Sequence, residues 1–174
     1  TLSEKNQWVK PNIDNPVSLD IVQAAINKIK NNKKRLKSHK LPGPTGESNV
    51  LSFYSRGVVL CLGPTFDMAL LQAQTAKENG CSTLIITEDA EGESTIKGSL
   101  NRADLQFLDG FDAVVAWSDE EDQRDILRAL ASRSGPIIPL INDLNFSDRC
   151  ILERHLCIDT TAAGGNAALL MKTS

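Results

Sequence analysis

Short strand-like segments, several of them nearly all apolar, recur along this chain, and they constrain its fold more than any other feature. They lie at 57–62, 82–87, 112–116, 137–141 and 156–159. Continuous apolar strands separated by helical stretches are typical of a parallel sheet that is covered on both faces. Because crossovers between parallel strands are almost always right-handed, the sequence predicts an α/β fold with a doubly wound, mostly parallel Rossmann-type sheet and helices on both faces.

Helical spacing and turn residues occupy the chain between these strands. Ser18 offers a cap to an amphipathic helix, and the segment 119–133 opens with the capping box Ser118–Glu121. The other helical patterns cover 67–79, 101–108 and 147–154. We expect irregular structure at 41–49, which is rich in Pro and Gly, and at the polar stretch 88–99.

Composition places the chain among globular domains. It has 174 residues, of which 41% are hydrophobic and 24% charged, so it is long enough to bury a core of its own. Its apolar runs fall far short of the roughly 18 residues that a membrane-spanning helix needs, and we therefore expect a soluble domain. The chain starts with Thr1 rather than Met, and we interpret it as a piece of a longer polypeptide.

The net charge of −3 hides an asymmetry along the chain. Residues 1–40 carry nine basic and three acidic side chains. The basic ones concentrate in Lys28, Lys30, Lys33, Lys34, Arg35, Lys37 and Lys40. Such a block is found in arms that bind nucleic acid or anionic membranes, and more often on a solvated helix face or an inter-domain arm. No aromatic residue lies between Val22 and Phe53, so stacking on bases is not supported there.

Neither a nucleotide-binding motif nor a catalytic constellation stands out. The turn after strand 57–62 reads Gly63-Pro64-Thr65-Phe66-Asp67, which differs from G-x-G-x-x-G, and Pro64 lacks the N–H that would bind a phosphate. The consecutive acidic residues Asp119–Asp122 suit a helix start better than a metal ion. His155 fits a helix end. The sequence thus predicts no catalytic, cofactor-binding or metal-binding residue.

Four cysteines form no C-x-x-C pair: Cys61, Cys81, Cys150 and Cys157. We expect buried free thiols in a reducing compartment rather than a zinc site or a disulfide framework.

The end of the chain is rich in small residues, from Thr160 through Ala168. A frayed terminus accounts for such a tail. Insertion into a groove on another domain accounts for it equally well, since small side chains permit close backbone approach.

Several motifs in order resemble one known family. They include Gly43, Pro44, Thr45, Gly46, Glu47 and Asn49, and then Arg56–Leu62 and Leu152–Arg154. The last motif comprises Asp159, Thr160, Thr161, Ala162, Ala163, Gly164, Gly165, Asn166 and Ala167. Over about residues 41–171 the chain resembles the C-terminal region of the long forms of bifunctional proline utilization A.

The same stretch is similar to a degenerate copy of the NAD-binding domain of an aldehyde dehydrogenase. That family has an Asn-bearing turn where Gly63–Met68 stands here, and a lysine where Thr87 stands. The resemblance therefore implies an inherited fold without cofactor or activity in this fragment. In the parent proteins it implies FAD for the oxidation of proline and NAD for the oxidation of the resulting semialdehyde to glutamate.

The resemblance also implies a role and a partner. Charge and hydrophobic patterning divide the chain into a basic lead-in with one amphipathic helix at 1–40, a Rossmann-like α/β domain at 41–159 and a small-residue tail at 160–174. The domain would pack on the dehydrogenase domain of the same polypeptide or another protomer, with Asp159–Ala167 as a lid on the passage that channels the intermediate. The location would be cytoplasmic, with peripheral association at the inner face of the bacterial membrane as a variant. Two alternatives remain: a module that binds nucleic acid or anionic membrane through 28–40, and a residual NAD-binding domain.

Overall fold

Helices and strands alternate along the part of the chain that the structure describes. A computed structural model gives the placement of residue 11 and residues 13–159. The α-helices are α1 (Leu19–Lys28), α2 (Phe66–Glu78) and α3 (Glu120–Ala131). The strands are β1 (Arg35–Leu41), β2 (Glu47–Ser55), β3 (Val58–Cys61), β4 (Ser82–Thr87), β5 (Thr95–Lys97), β6 (Ala113–Val115), β7 (Leu140–Ile141) and β8 (Ile151–Asp159). Short 3₁₀ helices lie at Arg102–Gln106 and Ser147–Cys150.

A five-stranded parallel sheet forms the centre of the fold. Its strand order is β5-β4-β3-β6-β7, and all four residues of β3 are buried. A strand that is buried on both faces needs apolar residues at every position, which Val58–Cys61 supplies. The predicted α/β class with a parallel sheet is therefore confirmed.

Each face of this sheet has its own core. Val58 and Leu60 of β3 pack with α1 and α3, through residues such as Ile26 and Ile126. The alternate residues of β3 point the other way, toward Ala73 and the rest of the apolar face of α2. Side chains of a strand alternate between faces, so one strand anchors both layers and the prediction of helices on both faces is confirmed.

A second sheet is antiparallel and three-stranded, in the order β1-β2-β8. All of β1 is exposed, as are the last seven residues of β8. The segment 156–159, predicted as a strand of the parallel sheet, instead belongs to β8 in this second sheet. The predicted helix at 147–154 is wrong beyond Cys150, because continuous pairing with β2 supplies the backbone hydrogen bonds of β8 from Ile151 to Asp159.

Tertiary pairing also changes three local predictions. β1 lies in the basic block, which the sequence assigns to a helix face or an inter-domain arm, and it pairs with β2. β1 also includes Leu41 and so continues past residue 40. The domain division at residue 40 stays a prediction. β5 lies in the predicted loop 88–99 and pairs with β4. The cap of α3 is Asp119, which accepts a hydrogen bond from the Asp122 amide at 2.9 Å, rather than Ser118.

None of the described helices combines the length and apolar character needed to cross a membrane.

Candidate functional site at the carboxyl edge of the parallel sheet

The strand order of the parallel sheet reverses between β3 and β6, which are parallel neighbours in space but not neighbours in sequence. In open α/β sheets, ligands bind in the crevice outside the carboxyl ends of the strands at such a reversal. Gly63–Thr65 follow β3 at this edge, and Glu88 follows β4. This crevice is therefore the place where the fold would hold a nucleotide.

The turn after β3 is shaped by packing against α2. A Cβ atom on Gly63 would lie 2.6 Å from the backbone nitrogen of Ala69, which is too close for any side chain. Thr65 caps α2 by accepting a hydrogen bond from the Met68 amide at 3.3 Å. Gly63 thus allows the helix to approach the strand, and the hydroxyl of Thr65 takes one of the amides that a phosphate would otherwise bind.

Glu88 is already occupied by the chain's own lead-in. The Asn15 backbone N–H donates to Glu88 Oε1 at 3.1 Å, and Asn15 Nδ2 donates to Glu88 Oε2 at 2.7 Å. The side-chain hydrogen bond from Asn15 holds the pKa of the Glu88 carboxyl below its ordinary value. In a dinucleotide-binding sheet, a carboxylate at the end of the second strand contacts the ribose. Here the two N–H donors of Asn15 occupy both carboxylate oxygens of Glu88.

Backbone pairing holds the lead-in in this position. Ser99 donates its N–H to the Asn15 carbonyl at 2.8 Å, and the Val17 N–H donates to the Ser99 carbonyl at 2.9 Å. Pro16 and Ser99 form an isolated parallel bridge. A Cβ on Gly98 would meet the Asn15 carbonyl oxygen at 2.8 Å, so a glycine is needed where the two segments cross.

The space that remains at the edge is small. A cavity of about 220 Å³ lies there, with Pro11 and Ile13 of the lead-in in its wall beside Gly63 and Thr87. Small-molecule sites usually measure about 300–1,000 Å³. Thr87 in this wall is buried, and its hydroxyl has no hydrogen-bond partner among the described residues.

A buried ion pair closes one side of the crevice. Arg102 donates to both carboxylate oxygens of Asp122, at 2.8 and 3.2 Å, and also to the Leu100 carbonyl at 3.2 Å. Its guanidinium lies in the cavity wall but is committed to these partners. Asp122, which the sequence assigns only to a helix start, is one half of this buried pair. Within residues 13–159 no group of three metal-ligating side chains converges.

Two sequence motifs meet at the far end of the three-stranded sheet. Gly43–Gly46 lie in the turn between β1 and β2, with Gly46 at a φ of 90°, and the rest of this motif begins β2. Glu47, the first residue of β2, pairs with Asp159, the last residue of β8. The sheet thus unites motifs more than a hundred residues apart. Of the predicted lid, Asp159 is described; Thr160–Ala167 lie outside the described residues.

Exposed apolar side chains follow the same end of this sheet. Leu156 is 58% exposed and Ile158 is 49% exposed, and both share a face with Val50, the partner of Leu156. His155 lies on the opposite face in mid-strand, next to Leu51, so its predicted position at a helix end is wrong. No described residue of another element covers these exposed side chains, a pattern typical of an interaction surface.

The sequence alone missed Glu88 and Asn15. An acidic residue about 20 positions after the turn of the first strand is a recognisable signal for the ribose position, and Glu88 lies 25 residues after Gly63. Asn15 carries no such signal, because its role depends on a contact between residues 73 positions apart.

Comparison with known proteins identifies relatives of one kind. No known protein-family model matches the chain. The bifunctional protein PutA of Escherichia coli K12 is 31% identical over 144 residues, which cover 75% of this chain and 11% of that protein. PutA of Salmonella typhimurium LT2 matches equally. A crystal structure of a bifunctional proline utilization A protein has 30% identity and a TM-score of 0.48, covering 60% of this chain and 13% of the other. The chain spans about a tenth of the length of these relatives.

Proposed function

We propose a role for this chain, which contains a domain related to PutA. It serves as a non-catalytic domain of a bifunctional enzyme that converts proline to glutamate. In this proposal the domain has the aldehyde dehydrogenase type of NAD-binding fold and has lost its cofactor. It packs on the dehydrogenase domain and helps to seal the passage through which the intermediate moves. FAD and NAD belong to other parts of the parent polypeptide.

One observation carries the non-catalytic part of the proposal: Asn15 occupies both carboxylate oxygens of Glu88 at the edge where a nucleotide would bind. A ribose would have to displace the lead-in together with its backbone bonds to Ser99. The remaining cavity of about 220 Å³ is too small for a dinucleotide. Residual NAD binding is therefore the weaker alternative.

The three-stranded sheet supports the packing part of the proposal. It presents exposed apolar residues, Leu156 and Ile158, beside the turn at Gly43–Gly46. β8 ends at Asp159 at this same end of the sheet. In the proposal, the tail therefore starts beside the surface formed by Leu156 and Ile158, which would be the docking surface. A tail of small residues that follows an apolar docking surface is suited to cover a passage and exclude water from it.

The basic block offers little support for the alternative of a nucleic-acid or membrane arm. Lys33 forms an ion pair with Asp112 at 2.6 Å. Lys37 pairs with Phe53 and Lys40 with Val50 across β1 and β2, and these positions lie on opposite faces of the sheet. The charges are thus divided between faces instead of forming one patch.

The test uses a PutA-type enzyme that carries this chain as a domain. We expect that deleting 160–174, or changing Ile158→Asp, leaves proline oxidation unchanged but produces a lag in NADH formation from proline. The reason is that the intermediate then escapes into solvent. Leu127→Asp is the matched control, since Leu127 is 51% exposed on α3, away from the sheet.

Lag-free coupled kinetics in both variants would contradict the packing role. Calorimetric titration of the chain itself with NAD addresses the other part of the proposal. We expect no heat of binding at micromolar concentrations, and saturable micromolar binding would contradict the loss of the cofactor.

A further inference from the structure

Two buried thiols meet where the parallel sheet adjoins the three-stranded sheet. Cys81 lies just before β4, and Cys150 ends the 3₁₀ helix before β8. The thiol of Cys81 lies 3.4 Å from the Cys150 carbonyl oxygen, to which it donates, and both cysteines belong to the same buried cluster. They are 69 positions apart in sequence, so the fold alone creates this pair.

The surroundings shift the pKa values of the two thiols in opposite directions, so that Cys81 is the nucleophile and Cys150 the resolving thiol. The hydrogen bond from Cys150 lowers the pKa of Cys81 to about 7, and the backbone amides of Gly57 and Arg56 and the charge of Arg56 act in the same direction. The same hydrogen bond, together with burial, raises the pKa of Cys150. At neutral pH a large fraction of Cys81 is therefore ionised beside a protonated Cys150, and the ionised form is the one that attacks an oxidant before the second thiol resolves the product.

A cavity gives access to Cys81. It has a volume of about 560 Å³, and Cys81 lies in its wall together with Lys28, Lys30 and Lys77. Cys81 itself is only 6% exposed and Cys150 is fully buried. Because so little of Cys81 is exposed, a small oxidant reaches its sulfur more easily than a disulfide of another protein does.

We propose that Cys81 and Cys150 form a dithiol site that reacts with a hydroperoxide and closes to a disulfide. The Cys81 thiolate attacks one oxygen of hydrogen peroxide, an S–O bond forms and the O–O bond breaks. Hydroxide leaves and takes up the proton that Cys81 released, giving water and a sulfenic acid. The Cys150 sulfur then attacks the Cys81 sulfur, and hydroxide departs with the Cys150 proton as a second water. Two thiols lose two electrons in total, and one peroxide is reduced.

The other two thiols do not share these properties. Cys61 is fully buried, and burial raises the pKa of its thiol. Cys157 is exposed, but its thiol donates to the Glu47 carboxylate at 3.0 Å, and this hydrogen bond raises its pKa. Exposure alone would make Cys157 react first, whereas the geometry assigns the reaction to the buried Cys81.

The test is peptide mapping of the whole chain after treatment with hydrogen peroxide at pH 7. Trypsin without reductant places the four cysteines in different peptides, 57–77, 78–97, 150–154 and 155–172. We expect peptides 78–97 and 150–154 to be joined and the other two to remain reduced. The melting temperature of the oxidised chain should rise by roughly 10 °C, because the bond closes a long loop.

Variants separate the two steps. In Cys150→Ser we expect Cys81 to accumulate as a sulfenic acid that a dimedone probe traps, with no joined peptide. Cys61→Ser is the matched control, and in it peptides 78–97 and 150–154 should be joined as in the wild type.

Oxidation of Cys157 with Cys81 left reduced would overturn the proposal, as would a disulfide that joins Cys81 to any other cysteine. Because the wild-type map decides between these outcomes, the proposal remains testable even where a variant fails to fold.

Discussion

At the scale of single residues, the ion pair of Arg102 and Asp122 is a costly contact to lose. The side chains are only 9% and 3% exposed, and the guanidinium binds both carboxylate oxygens. Removing one partner leaves a buried charge without compensation, which costs far more than the loss of a surface pair.

We expect Asp122→Asn to lower the free energy of unfolding by about 3–5 kcal/mol, measured by urea denaturation. Arg124→Ala is the control, because Arg124 pairs with Glu120 on the exposed surface of the same helix, and that change should cost less than about 0.5 kcal/mol. Equal losses in the two variants would contradict the buried character of the first pair.

At the scale of elements, the start of α3 distinguishes the sequence-based prediction from the structure. The capping-box pattern assigns the cap to Ser118, whereas in the structure Asp119 accepts the Asp122 amide. The Ser118 hydroxyl is buried and has no hydrogen-bond partner among the described residues. Both candidates fit the motif rules, and only the path of the chain from β6 selects one of them.

We therefore expect Asp119→Ala to destabilise the protein by about 0.5–2 kcal/mol, since it removes the cap and a negative charge at the helix start. Ser118→Ala should be neutral or slightly stabilising, because it removes a buried hydroxyl that lacks a partner. Thermal unfolding of the two variants side by side measures the difference. A larger loss in Ser118→Ala would restore the prediction made from the sequence.

At the scale of the whole molecule, the contact of Asn15 with Glu88 fastens the lead-in to the edge of the parallel sheet. The pKa of Glu88 in the folded protein lies below its ordinary value, because Asn15 donates to the carboxylate. The contact therefore contributes its full stability at pH values above the ordinary pKa of a glutamate carboxyl, which applies to the unfolded chain. That contribution is lost as the pH falls through the lowered pKa of Glu88 in the folded protein.

We expect acid to release the lead-in before the sheets unfold. Amide hydrogen exchange of Val17 and Ser99, relative to the intrinsic rate at each pH, should accelerate as the pH falls below the ordinary pKa of a glutamate carboxyl and through the lowered pKa of Glu88. In Glu88→Ala it should already be fast at pH 7. Glu91→Ala is the control, since Glu91 is an exposed residue of the following loop. Exchange that ignores both pH and the Glu88 substitution would contradict this contact.

Residues with local signals were predictable, and those joined across long separations were not. The burial of Val58–Cys61 and the helix at α2 follow from apolar runs and from helical spacing, which act over a few residues. Glu88 carries a signal in its distance from Gly63, but the reason that it is unavailable to a ligand lies in Asn15. Cys81 and Cys150 carry no shared signal at all, because neither spacing nor neighbours relates them.

The sequence by itself determined the α/β class, the parallel central sheet and the helices on both of its faces, since hydrophobic periodicity is a local property of the chain. Only the tertiary structure decided that β1 and β8 flank β2 in a separate sheet, that the lead-in crosses the carboxyl edge of the parallel sheet, and that Cys81 and Cys150 lie side by side. Each of these depends on partners brought together by folding, whose pairing energy overrides local propensity.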